Sequence, residues 1–149
     1  MTATLTTPAA AETRVVRKSA FARHLTIVTR VLTGLLFTTT GLNGWLNFMP
    51  APDPSTMAPA GVAFTLALAA TGYMLHLASA VQVVAGLLLL TGRFVPLALA
   101  LLAPMIVNIV LYHVFLETEG LAVGLFVTVA EIGLAWAYRD KFRPMLQAR

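Results

Sequence analysis

Between Leu25 and Tyr138 the chain carries four apolar stretches, each close to the length of a membrane helix, and this limits what it can fold into. About 20 apolar residues at a rise of ~1.5 Å each cross the hydrocarbon of a bilayer. The stretches run from about Leu25 to Phe48, Gly72 to Gly92, Pro96 to Leu116 and Gly120 to Tyr138. With 58% hydrophobic and 11% charged residues in 149, a soluble domain would leave too much apolar surface in water. The expected fold is all-α, an integral membrane up-down-up-down four-helix bundle.

The segment between the first two stretches is different. MPAPDPSTMAP is proline-rich and breaks regular helix, and AGVAFTLALAAT is too short to span. An extra short interfacial or re-entrant helix is expected there, followed by a break near Gly72. Proline at the first turn of the third span and Pro144 after the fourth fit a helix start and a helix stop. Residues 1–22 read as a disordered basic cytoplasmic tail, and residues 23–146 as one membrane domain.

The formal charge of +4 comes from ten Lys and Arg against six Asp and Glu. The basic residues flank the apolar stretches, which fits membrane topology and gives no reason to expect nucleic acid. Arg14, Arg17, Lys18 and Arg23 precede the first span, and Arg93 follows the second. Arg139, Lys141, Arg143 and Arg149 follow the fourth. The two remaining connections hold only Asp53, Glu117 and Glu119 as charges. An excess of Lys and Arg marks cytoplasmic loops, so both termini are expected in the cytoplasm. The apolar run is too long for a signal peptide, and Trp45-Leu46-Asn47-Phe48 is no cleavage site. The absence of cysteine excludes a disulfide, a thiol nucleophile and a cysteine-ligated cluster within this chain.

Each span carries one strongly polar residue on a face of small or packing residues. Arg30 shares its face with Gly34, Phe37, Gly41, Gly44 and Phe48. Gln82 lies with Ala78, Ser79, Gly86 and Leu89, and Asn108 with Leu101, Pro104, Met105 and Tyr112. Glu131 lies with Gly124, Thr128 and Ala135, opposite a lipid face of Leu125, Val129, Ile132 and Trp136. Polar residues inside a membrane are costly unless paired, so all four are expected to face inward. Counting rises of ~1.5 Å places Arg30 and Glu131 at similar depth, where an ion pair would form. Gln82 and Asn108 fall near the midplane. Two readings stand: structural hydrogen bonding that fixes helix register, or a site in which the Glu131 carboxylate beside Arg30 binds a polar head group or carries protons. A lipid-soluble ligand there would also take hydrogen bonds from Gln82 and Asn108 and stack on Phe37 and Tyr112.

His76 and His113, with Glu117 four residues after His113, form an alternative metal or haem set. The wheel weighs against it, because neither histidine lies on its helix's expected inner face. Trp45, Tyr73 and Tyr112 near one interface and Trp136 and Tyr138 near the other read first as an aromatic belt. No phosphate-loop pattern and no Ser/His/Asp set is present.

Arg30 to Gly44, R-x-x-x-G-x-x-F-x-x-x-G-L-N-G, resembles the opening of DoxX-family membrane proteins. AGLLLLTGRFVPLALALLAP, NIVLYH and the ending E-x-x-L-A-W-A-Y-R resemble the family's later spans, so the resemblance covers roughly Arg23 to Leu146. It implies a four-span bundle of the bacterial cytoplasmic (inner) membrane. The wider group includes the membrane subunits of a thiosulfate:quinone oxidoreductase. Many relatives carry an acidic residue where this chain has Gln82, and a lysine where it has Gly44-Trp45.

Three functions follow as expectations. The first is a quinone- or small-lipophile-binding subunit of a membrane redox complex, with electrons supplied by a redox partner protein. The second is a non-catalytic scaffold that assembles a partner or a homo-oligomer. The third is a small permease. No cofactor is evident in the chain itself, and a quinone is the one that the family resemblance admits.

Overall fold

Six helices account for nearly all of the residues that the computed structural model describes, 9–146, with side chains described over 20–142. They are α1 (Ala9–Leu46), α2 (Pro59–Ala70), α3 (Met74–Thr91), α4 (Val95–Phe115), α5 (Leu121–Ala137) and α6 (Arg139–Leu146). Among the described residues there is no strand. Ala20–Leu46, Met74–Thr91 and Val95–Phe115 are long and apolar enough to cross a membrane. The chain is therefore a multi-pass membrane protein. The 17 residues of α5 and the 12 of α2 form shorter apolar helices.

α1 begins well before the expected span. Ala9, Ala10, Ala11 and Glu12 are good helix formers and α1 runs on from them unbroken, so all of residues 9–22 are helical where a disordered tail, at most ending in a short interfacial helix, was expected. The rest of that expectation, on residues 1–8, lies outside the described residues. The break before the second span is where the sequence places it. Gly72 takes a φ of +75°, which side-chain-bearing residues rarely adopt. Thr71 bridges the turn, donating its hydroxyl to the Leu68 carbonyl and accepting the Met74 N–H. After α5 the chain passes through Tyr138 straight into α6, and Pro144 lies inside that helix instead of stopping the chain ahead of it.

α1 and α3 pack antiparallel with their backbones in contact. A Cβ on Gly41 would sit 2.8 Å from the Ser79 carbonyl, and one on Gly86 would sit 2.7 Å from the Thr38 nitrogen. Apolar side chains gain little by leaving lipid for a helix interface, so close approach and dispersion hold such a seam. Phe37, Leu89, Val95, Leu99, Leu102 and Leu134 form the centre of one core drawn from α1, α3, α4 and α5. Leu125, Val129, Ile132 and Trp136 face outward on α5, as the sequence predicts.

α4 departs from its prediction. Its buried residues are Val95, Ala98, Leu99, Leu102 and Ile106, whereas Pro104 and Asn108 are exposed and Leu101 and Met105 only half-buried. The inward-facing assignment of Asn108 treated it as a polar residue needing the bundle interior. α2 supplies a second surface instead, and Asn108 turns toward it.

Candidate functional site

The N-terminus of α2 is tied to the far end of α4. Glu117, in the turn after α4, is buried and accepts the Ala58 N–H at 2.5 Å and the Glu119 N–H at 3.2 Å. Ala58 is the N-cap residue of α2 and has no side-chain acceptor of its own. The carboxylate thus takes up one of the orphan donors at the positive end of that helix. Gly61 lets α2 come this close, since a Cβ there would lie 2.8 Å from the Tyr112 hydroxyl and 3.2 Å from the Glu117 Cβ. Phe64 follows one turn later and meets Tyr112, with ring centroids 5.7 Å apart.

Held in this way, α2 roofs a cleft of about 370 Å³ over α3 and α4. Phe64 and Leu68 come from α2, Leu75, Ala78 and Gln82 from α3, and Pro104, Met105 and Asn108 from α4. Gln82 and Asn108 are the two strongly polar residues in an otherwise apolar wall. Gln82 is oriented by α1, because the Thr40 hydroxyl donates to its Oε1 at 2.8 Å. Its amide nitrogen, and the whole Asn108 amide, have no partner among the described residues. A smaller hollow of about 190 Å³ adjoins the first, sharing Phe64 and Asn108 and adding Tyr112 and Phe115. The arrangement is an apolar slot with two amides that can donate to or accept from the oxygen of a lipophilic molecule.

The other expected site residues are elsewhere. Phe37 is 3% exposed inside the core and lines neither hollow. Arg30 and Glu131 form no ion pair with each other. The Arg30 guanidinium lies against Gly92 at the α3–α4 turn, where a Cβ would clash with it. Arg30 Nε, Thr33 Oγ1 and Glu131 Oε2 are buried without a hydrogen-bond partner among the described residues. Similar depth did not bring the two charges together, because helix-wheel depth carries no information on which way a long side chain bends.

His76 is exposed, and His113 is not where the wheel put it. The rotation of α4 that turns Asn108 outward turns His113 inward. There it packs on Gly120 and Gly124, its Nδ1 3.0 Å from the Glu117 carbonyl oxygen. No group of three His, Asp or Glu side chains is brought together among the described residues, so His76, His113 and Glu117 do not form a metal set. The Glu117 carboxylate instead serves α2.

Phe64, Leu68, Met74 and Ile109 line the cleft without having been singled out in the sequence, and Thr40, which orients Gln82 from α1, was missed as well. Pro59 at the first turn of a 12-residue apolar helix was visible, but nothing in the sequence says which surface that helix covers. At the same end of the molecule, Asp53 accepts the Ser55 N–H at 2.9 Å. That bond, with a further one to the Ser55 side chain, holds its carboxyl below the usual carboxylate range.

A family model described as DoxX matches residues 25–114. The match takes in both amides, Thr40 and the aromatic wall of the cleft, and ends ahead of Glu117 and Glu131. Neither the curated proteins nor the solved structures contain a match to this chain.

Proposed function

The chain belongs to the DoxX family, and from that premise we propose that it is a membrane subunit binding a quinone or similar oxygen-bearing lipophile in the cleft under α2. The observation that carries this reading is the pairing of Gln82 and Asn108 in one apolar slot of about 370 Å³. An amide without a partner at membrane depth is costly, and a ligand carbonyl or hydroxyl would relieve it. Phe64 supplies an aromatic wall beside the amides, and Tyr112 stands behind it. In this reading electrons for a bound quinone come from a partner protein.

In this reading α5 completes a four-span bundle in the bacterial cytoplasmic membrane, with both termini in the cytoplasm. Its 17 residues reach about 25 Å, and interfacial Tyr138 with the basic start of α6 extends it. Arg23, Arg93, Arg139 and Lys141 all flank the same ends of the helices, which supports that orientation.

The test is native mass spectrometry with lipid extraction on detergent-purified protein, comparing wild type with Gln82→Leu and Asn108→Leu. A stoichiometric quinone in the wild type that is depleted in both variants is the expected result. A wild-type protein that carries no quinone, and that added quinone does not protect against heating, overturns the reading.

A further inference from the structure

Away from the cleft, the seam between α1 and α5 is left partly open. Leu25, Thr26 and Thr29 of α1 face Ala130, Gly133 and Leu134 of α5 across a groove of about 320 Å³. A second hollow, between Leu32 and Leu36 of α1 and Val123 of α5, continues the seam, and Phe126 borders both. From Leu25 to Leu36 the seam is about 16 Å long, the depth of one leaflet of a ~30 Å hydrocarbon core. Its floor is lowest at Gly133, where an added Cβ would meet nothing within 4 Å.

One end of this groove is basic. Leu25 and Thr26 of α1 share this groove with Gly133 and Leu134 of α5, so continuing down both helices brings Arg23 to the level at which α5 gives way to α6. Arg139 and Lys141 stand there, both exposed. The Arg139 guanidinium is held 4.9 Å over the Trp136 ring and donates to the Trp136 carbonyl at 3.1 Å. The Lys141 ammonium lies 5.3 Å over the Tyr138 ring. Asp140 is the one carboxylate among these residues, so the mouth keeps a net positive charge.

An apolar slot one leaflet deep, opening on cations at the membrane surface, matches one kind of molecule. We infer that the α1–α5 groove holds an acyl chain of an anionic phospholipid, with its phosphate resting on Arg23, Arg139 and Lys141. The charge at the mouth selects the headgroup, and Gly133 leaves room for the chain. This site is separate from the cleft under α2 and does not depend on what that cleft binds.

Trp136 reports on it directly. The chain has two tryptophans, so Trp45→Phe leaves Trp136 alone beside the mouth. This protein is placed in phosphatidylcholine vesicles containing a small fraction of either dibrominated phosphatidylglycerol or dibrominated phosphatidylcholine. Quenching of Trp136 is expected at several-fold lower fractions of the anionic lipid. Adding Arg23→Gln, Arg139→Gln and Lys141→Gln is expected to erase that preference. Gly133→Leu, whose Cβ meets nothing within 4 Å and whose side chain would occupy the groove, is expected to weaken quenching by the anionic lipid while circular dichroism stays unchanged. Equal quenching by the two lipids, or a preference that survives loss of the three cations, overturns the proposal. So does a Trp136 shielded from both lipids, which would mean that a second copy of the chain fills the seam.

Discussion

α1 meets α3 through its backbone and α5 through its side chains. On the first seam, Gly34 and Gly41 of α1 and Gly86 of α3 allow main chain to rest on main chain or on short side chains. On the second, Leu25, Leu32 and Leu36 stand opposite Phe126 and Val129, and hollows remain between them. Both seams are apolar, so hydrophobicity does not distinguish them. What differs is whether a glycine sits opposite another surface or opposite empty space. A glycine facing a backbone makes a dry joint, whereas Gly133, facing nothing, makes a groove.

The sharpest way to break this comparison is to put the same side chain on both seams. Gly86→Leu should cost ~3 kcal/mol or more, because Thr38 backbone cannot move aside. Gly133→Leu should change stability by no more than ~0.5 kcal/mol. Unfolding by increasing SDS in mixed micelles measures both. Equal losses would mean that the α1–α5 seam is as closed as the α1–α3 seam.

A middle case is the joint made by a hydrogen bond rather than by glycine packing. Glu117→Ala removes the acceptor of the Ala58 N–H and should loosen α2 locally by about 1.5 kcal/mol. Hydrogen exchange at the first amides of α2 should speed up roughly tenfold, a factor that ~1.4 kcal/mol corresponds to. The α1–α3 amides should keep their rates. Acceleration of both would show that α2 and the bundle open as one unit.

The smallest effect is expected at the exposed loop. Asp53 is held below the ordinary aspartate value of 3.8 in the folded protein by its bonds to Ser55. A depressed folded pKa means that its contribution to loop order is present above the unfolded value and is lost as pH falls through the folded one. Carboxyl NMR should show a midpoint below 3.8, and Ser55→Ala should raise it only partway, since the backbone bond remains. A midpoint at the ordinary value would show that the Asp53–Ser55 turn does not persist in solution.

Much of the bundle was legible in the sequence because periodicity and glycine spacing act locally. The inward faces of α1 and α3 and, on α5, Gly124 and Glu131 follow from a 3.6-residue repeat, whereas Val127, Ala130 and Leu134 are buried where Thr128 and Ala135 were expected. The face of α4 was misread, since the rule that polar residues turn inward assumes a single interior. Asn108 turns to the surface made by α2, and His113, in the last turn of α4, turns inward onto Gly120 and Gly124. The candidate site was legible only in part. Gln82 and Asn108 were found as polar residues at matching depth and do share the cleft. Phe64 and the Glu117 tie were not found, because both depend on where a short helix folds back. Arg30 and Glu131 showed the opposite failure: equal depth suggested a pair, and side-chain direction did not make one.

The Ala58–Glu117 bond joins residues 59 positions apart. A chain made from its N-terminus has α1, α2 and α3 in hand long before the acceptor for α2 emerges from the ribosome. Until then, the first amide of α2 must be satisfied by water or headgroups at the membrane surface. The roof of the cleft therefore settles after the α1–α3 joint. A nascent protein halted before Glu117 would have the α1–α3 joint complete and the cleft still open.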